Sequence, residues 1–399
     1  MATIAIIGSG MMGSALAFPA RENGNTVRLV GTPLDREIID ECRKTNRHPK
    51  FAKHFPKGIP PFPEGCEFYQ IEEMEKAIEG ADFVIGGVSS FGVDWFGEEV
   101  LPKLPESLPV LSVTKGLMEN EKFETFEKFE KFETFEKPEK SEGLTTSQTP
   151  QTSQTPQTSQ TPQTSDRVLL TYPEVWETRL AEKGLKRTIC AIGGPCTSYE
   201  LVAHDQTEVA FCGKDMEVLR MMKNAMATDY YHISLSTDVV GIESAVALKN
   251  GYALGIALTI GLNQKAFGID SELHFNSQAA VFGQAVREMK KLLDLQGAGT
   301  LENLCVGAGD LYVTVYGGRT RLVGILLGRG LNIDEAKAEL KGVTLESLVV
   351  AVRVARAVKA LCAAGKLKAA DFPLLMHIDE ILTEKKPVDI PWEKFTFEG

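Results

Sequence analysis

Thr3-Ile4-Ala5-Ile6-Ile7-Gly8-Ser9-Gly10-Met11-Met12-Gly13 places three spaced glycines directly after a short apolar run. A helical stretch follows from Ser14 to Asn23, closed by Gly24, and a second apolar run spans Thr26 to Val30. A glycine triplet alone also occurs in ordinary turns. Strand, Gly-x-Gly-x-x-Gly, helix and strand within about thirty residues is far more specific. In that context Gly8 permits a tight turn and Gly10 lets a backbone approach a pyrophosphate. Gly13 lets the helix pack closely on the strand, and the helix N-terminus offers free N–H groups to an anion. Gly8, Ser9, Gly10, Met11, Met12 and Gly13 are therefore candidate dinucleotide-binding residues.

Working outward, Asp82–Val88 and Val110–Val113 read as further strands, and Arg187–Ile192 and Glu208–Cys212 as the last strands of the sheet. Strands alternating with helices imply an α/β fold, Rossmann-like and doubly wound, with a mostly parallel sheet. Loops at the carboxyl edge of such a sheet face the ligand crevice. That makes Ser89 and Phe91 candidate cofactor contacts and Lys115 a candidate active-site cation, with a solvated loop lysine as the alternative. The second strand ends in Val30-Gly31-Thr32-Pro33, without the acid that usually holds a ribose 2′-hydroxyl. Asp35 stands at about the right distance but beyond the strand, and Thr32 and Arg36 suit a 2′-phosphate. The balance leans to NADPH. In the plainer reading, Asp35 and Arg36 simply begin the next helix.

After about Thr237 the strand signals stop, which implies an all-α second part. The boundaries are 1–236 for the nucleotide-binding domain and 237–399 for a helical substrate domain. Asp238–Leu262 carries helical apolar spacing with Lys249-Asn250 in its middle. Burial lowers a lysine pKa, so Lys249 is a candidate proton donor unless it snorkels to solvent. Asp310 and Thr314 share a helix face at i,i+4 spacing. The loop Gly317-Gly318-Arg319-Thr320-Arg321 offers N–H groups, a hydroxyl and two guanidiniums to a phosphate dianion; solvated surface arginines are the alternative.

The composition narrows the function further. With 54 acidic and 43 basic residues the net charge is −11, which argues against a nucleic-acid binder. Seven scattered cysteines without a C-x-x-C read as reduced thiols, and six histidines without ligand spacing imply no metal. No targeting segment is visible. The most apolar window, Gly251–Leu262, is twelve residues against the ~20 of a membrane span, so a cytoplasmic protein is expected. Residues 120–165 form a low-complexity insertion: Phe123, Phe126, Phe129, Phe132 and Phe135 recur every third residue, and Ser-Gln-Thr-Pro-Gln-Thr then repeats three times. Neither period supports a lasting helix or strand, so disorder is expected, with a partner-docking segment as the alternative.

Together the motifs resemble the soluble NAD(P)-dependent glycerol-3-phosphate dehydrogenases. The resemblance rests on Gly8 to Gly13, Thr114-Lys115-Gly116, Gly194-Pro195, Asp238 to Glu243 leading to Ala247-Leu248-Lys249-Asn250, and Gly309-Asp310-Leu311 with Thr314 and Gly317-Gly318-Arg319. Gly31-Thr32-Pro33-Leu34-Asp35 and His48-Pro49 look most like archaeal-type members. The resemblance implies reversible reduction of dihydroxyacetone phosphate to sn-glycerol 3-phosphate by NAD(P)H. It implies Lys249 as the general acid, Lys115 as the group that orients and polarises the carbonyl, and Asp310 and Thr314 as positioning groups. Asn250, Arg319 and Thr320 would hold the substrate phosphate, Arg319 would also touch the cofactor, and the chain would be a homodimer. Two positions depart from the family pattern: Thr320 replaces an asparagine, and Ser89-Ser90 stands where a proline usually begins the loop. Two rival readings are another reductase of the superfamily, of ketopantoate or β-hydroxyacid type, and a catalytically silent nucleotide-binding scaffold using the phenylalanine-rich insertion.

Overall fold

The computed structural model describes residues 1–120, 167–341 and 345–397; most of the repeat insertion lies outside the described residues. The strands are β1 (Thr3–Ile7), β2 (Thr26–Val30), β3 (Cys66–Tyr69), β4 (Phe83–Gly86), β5 (Val110–Ser112), β6 (Leu117–Glu119), β7 (Leu169–Thr171), β8 (Ile189–Gly193), β9 (Thr207–Cys212) and β10 (Tyr231–Ser236). Between and after them run α1 (Met11–Glu22), α2 (Arg36–Thr45), α3 (Met74–Ile78), α4 (Val93–Trp95), α5 (Tyr172–Glu182), α6 (Ser198–Val202) and α7 (Met216–Met226). The remainder is helical: α8 (Val239–Phe267), α9 (Phe275–Leu295), α10 (Leu301–Gly317), α11 (Thr320–Arg329), α12 (Ile333–Glu339), α13 (Glu346–Ala363) and α14 (Pro373–Thr383).

Eight strands make one sheet in the order β10-β9-β8-β5-β4-β1-β2-β3. All neighbours are parallel except β8 and β9. The central strands are continuous apolar runs because helices cover both faces of a parallel sheet: Ile4 to Ile7 and Phe83 to Ile85 are fully buried. The expectation that the sheet ends at Glu208–Cys212 is corrected, since β10 follows and pairs parallel with β9. As an edge strand it alternates, with Tyr231 and Ile233 buried and His232 and Ser234 exposed, and so lacks the apolar run of the central strands. The opposite edge strand, β3, is short and was likewise not anticipated. β6 and β7 pair antiparallel on either side of the insertion, Leu117 opposite Thr171.

From β1 the chain winds outward to β2 and β3, then returns to β4 on the other side of β1. The crevice at the carboxyl ends of β1 and β4 is thus the topological switch point, where doubly wound sheets bind ligands. The helical part is organised on α8, a 29-residue helix packed by α9, α10, α11, α13 and α14. By length and composition α8 could cross a membrane, but 89% of its most apolar 18-residue window is buried inside the protein. The twelve-residue apolar window read from sequence falls short because Glu243, Lys249 and Asn250 interrupt the apolar run without interrupting the helix. Val350, Ala351, Val354 and Val358 of α13 are buried in the same core, so that apolar helix face is covered within the chain.

Candidate active site

Two features meet at the carboxyl edge of the sheet. The first is the glycine loop. Gly8 has φ +112°, and a Cβ there would lie 2.7 Å from the Gly87 backbone. A Cβ on Gly13 would lie 2.3 Å from the Gly8 carbonyl oxygen. Both positions therefore require glycine sterically. Helix α1 starts at Met11, inside the motif and three residues before the expected Ser14. Its N-cap is Gly10, with no side-chain cap and no acid in the first turn. The first-turn N–H groups are left for an external anion, and the buried Ser9 and Ser14 hydroxyls have no hydrogen-bond partner among the described residues. This cradle fits the pyrophosphate of a dinucleotide. Ser89 caps a short 3-10 turn after β4, and Phe91 stands exposed in that turn at the mouth of the crevice.

The second feature is a charge cluster. Thr114 ties the loop after β5 to the one after β4, its hydroxyl donating to the Val88 carbonyl at 2.7 Å. The next residue, Lys115, donates to the Gly194 carbonyl at 3.0 Å and to Asp310 Oδ2 at 2.7 Å. Lys249, from the middle of α8, donates to Asp310 Oδ1. Asp310 is 0% and Lys249 8% exposed. One carboxylate thus holds two ammoniums, one on each oxygen, and neutralises only one of them. Burial lowers the Lys249 pKa to about 8, against the pull of Asp310 and with the help of the Lys115 charge. For Lys115, burial also works downward, but the Asp310 charge and hydrogen bond outweigh it and hold that pKa above the usual lysine value. The pair is split: one fixed cation and one ammonium close to releasing its proton at neutral pH.

Asn250 follows Lys249 on α8, and Thr314 lies one turn after Asp310 on α10. The five residues expected to form one anion-binding loop are not all loop. Gly317 ends α10, Gly318 and Arg319 make a two-residue break, and Thr320 and Arg321 already belong to α11. A helix-ending Gly-Gly followed by a new helix N-terminus reads as a loop in sequence. Arg319 is exposed, whereas Thr320 is buried at the first position of α11. Thr32 spends its hydroxyl on Asp35, and Arg36 pairs with Glu72, both of these side chains more than half exposed.

Several site residues were either not anticipated or left open. Glu243 is fully buried on α8, and neither carboxyl oxygen has a hydrogen-bond partner among the described residues. Burial raises its pKa to about 8; Lys115 pulls it down and Asp310 pushes it up. Asp35, left open as a helix-starting residue, is the N-cap of α2. Its Oδ2 accepts from the Thr32 hydroxyl at 2.8 Å, the Thr32 N–H at 3.0 Å and the Ser9 N–H at 3.3 Å. Burial pushes the thiol of Cys196, beside the two lysines, up to about 12. Among the described residues no group of three or more His, Cys, Asp or Glu could hold a metal ion.

Family comparison matches both halves of this site. Residues 3–137 match the N-terminal and residues 238–393 the C-terminal model of NAD-dependent glycerol-3-phosphate dehydrogenase. The chain belongs to the NAD-dependent glycerol-3-phosphate dehydrogenase family. It is 30% identical over 390 residues to the NADP(+)-dependent glycerol-3-phosphate dehydrogenase of Archaeoglobus fulgidus, covering 96% of this chain and 98% of that one. It is 22% identical over 392 residues to a glycerol-3-phosphate dehydrogenase [NAD(P)+] of Clostridium botulinum, covering 97% and 94%. The crystal structure of glycerol-3-phosphate dehydrogenase from Coxiella burnetii shares the fold, with a TM-score of 0.69, 21% identity and coverage of 99% and 97%. As a member of the family the chain is an oxidoreductase dependent on NAD(P), and its sheet is the Rossmann fold. The family match favours this reading over the ketopantoate, β-hydroxyacid and silent-scaffold alternatives.

Proposed function

We propose that the chain interconverts dihydroxyacetone phosphate and sn-glycerol 3-phosphate with NAD(P)H, using Lys249 as proton donor. The observation that carries this reading is the single buried carboxylate of Asp310 shared by Lys115 and Lys249 beside the glycine loop. The reduced nicotinamide, when bound, supplies a hydride to the substrate C2. Lys115 keeps its charge and polarises the C2 carbonyl. Lys249 gives its proton to the C2 oxygen as negative charge develops there, and takes it back in the oxidative direction. Asp310 holds both ammoniums in place and touches the substrate hydroxyls only through them. Asn250, Thr314, Arg319 and Thr320 receive the phosphate end, Arg319 from its exposed place at the helix break. Met11, Met12, Ser89 and Phe91 flank the dinucleotide.

NADPH is the proposed preferred cofactor. The Arg36–Glu72 pair is exposed and worth little, so Arg36 is free to turn to a 2′-phosphate. The NADP(+)-dependent name of the Archaeoglobus relative supports the same choice. The two domains are proposed as 1–236 and 237–399, the assembly as a homodimer and the compartment as the cytoplasm. The decisive assay follows absorbance of NADPH and of NADH on adding dihydroxyacetone phosphate. Oxidation with NADPH favoured is expected; no turnover with either cofactor overturns the reading.

A further inference from the structure

His48 lies outside the catalytic cluster, in the turn after α2, and is 1% exposed. Its Nε2 is 2.9 Å from the Ser9 carbonyl oxygen, inside the glycine loop. Its Nδ1 accepts the Lys50 N–H at 3.2 Å. A carbonyl oxygen can only accept and a backbone N–H can only donate. Both bonds therefore form only when the ring is neutral with its proton on Nε2. On the other side of Ser9, its N–H donates to Asp35. Ser9 is thus gripped at its carbonyl by His48 and at its N–H by Asp35, and the next residue, Gly10, caps α1.

We propose that His48 is a positioning residue for the dinucleotide: in its neutral form it clamps Ser9 against Asp35 and fixes the glycine loop in its binding shape. The inference rests on the reading of that loop as the dinucleotide site. A second proton on the ring would keep the Nε2–H bond to Ser9 but aim Nδ1–H at the Lys50 N–H, donor against donor, so the ring would lose the anchor that holds it in its turn. The charged groups that face the ring are Lys50 from its own turn and Asp35 from the start of α2; the Phe51 ring packs 4.9 Å away. Burial, and then the Lys50 charge, favour the neutral ring, while Asp35 and the Ser9 bond oppose them; the balance lowers the pKa below 6.5. The clamp is fully anchored at neutral pH, and acid removes its anchor at Lys50.

The test is the dissociation constant of NADPH, and of NADH, for the full-length wild type, His48→Ala and His48→Gln between about pH 5 and 8, with thermal unfolding in parallel. His48→Ala should weaken dinucleotide binding about tenfold, the usual worth of a buried hydrogen bond. The KM for dihydroxyacetone phosphate, and kcat at saturating cofactor, should stay near wild type. Glutamine can still donate to the Ser9 carbonyl and should recover most of the affinity. Wild-type affinity should fall on acidification below the ordinary histidine range, and that fall should vanish in His48→Gln. If alanine does not fold, the glutamine pH profile alone decides. Unchanged affinity in His48→Ala, or the wild-type acid fall retained in His48→Gln, overturns the clamp and leaves the dehydrogenase reading intact. A wild type that binds neither dinucleotide overturns both.

Discussion

Between Gly8 and Gly13 the groups proposed to bind the dinucleotide are backbone N–H donors contributed by one unbroken turn of chain. At Asp310 the charges come from Lys115, 195 positions away, and Lys249, 61 positions away. The first region works by backbone geometry, held in shape by the buried Asp35 and His48 side chains. The second works by concentrating three ionisable side chains in a largely buried site. The contrast separates two jobs: holding a phosphate, which needs only oriented dipoles, and moving a proton, which needs a pKa displaced from its ordinary value.

The contrast breaks most directly at Lys249. Lys249→Ala should lower kcat on the order of 10²–10⁴-fold, the usual worth of a positioned acid, with the NADPH dissociation constant unchanged. A kinetically normal variant removes Lys249 from the mechanism. Asp310→Asn comes next. Without the carboxylate both ammoniums lose the charge that raises their pKa, so Lys249 should deprotonate at lower pH. The alkaline limb of the reduction rate, expected near pH 8 in wild type, should shift toward acid, with kcat at neutral pH falling about 10²-fold. A profile that keeps its limb places the titration elsewhere.

On the glycine side, Gly13→Ala adds a methyl against the Gly8 carbonyl oxygen, so the helix must move off the strand. The expected result is a roughly tenfold or larger rise in the NADPH dissociation constant and a loss of stability of ~1–3 kcal/mol, read by titration and thermal melting. Unaltered binding would show that the loop tolerates movement and that the distinction between the regions is overdrawn. The smallest effect belongs to Glu243. Its carboxyl has a raised pKa in the fold, so the folded state holds its proton from the ordinary carboxylate range up to about pH 8. Stability should be complete below that range and decline as pH rises through it. Glu243→Gln should leave the melting temperature unchanged near pH 4 and raise it by a few degrees at pH 9. A wild-type and variant pair that melt in parallel at both pH values would mean that the carboxyl has a partner in solution.

Most strands of the sheet were legible because central strands and the glycine turn obey local rules. Thr3–Ile7 and Thr26–Val30 match the structure residue for residue. The edges were less legible. β3 and β10 have mixed faces, and their strand character comes from a neighbour's hydrogen bonds. The catalytic candidates Lys115, Lys249 and Asp310 were legible as residue types in suggestive places. The Gly317–Arg321 stretch was misread as a loop because its glycines close one helix at the point where the next begins.

What the sequence determined by itself is the contiguous chemistry: strand, glycine turn, helix N-terminus, and a long apolar helix with a lysine in its middle. These follow from backbone sterics and periodicity acting over a few residues. Tertiary structure alone decided that two lysines share one carboxylate and that Glu243 is buried without a hydrogen-bond partner among the described residues. It also decided that Asp35 and His48 grip the glycine loop from both sides. Those facts depend on desolvation and on distances of a few ångströms between groups remote in sequence. Neither quantity exists until the sheet and the helices have packed together.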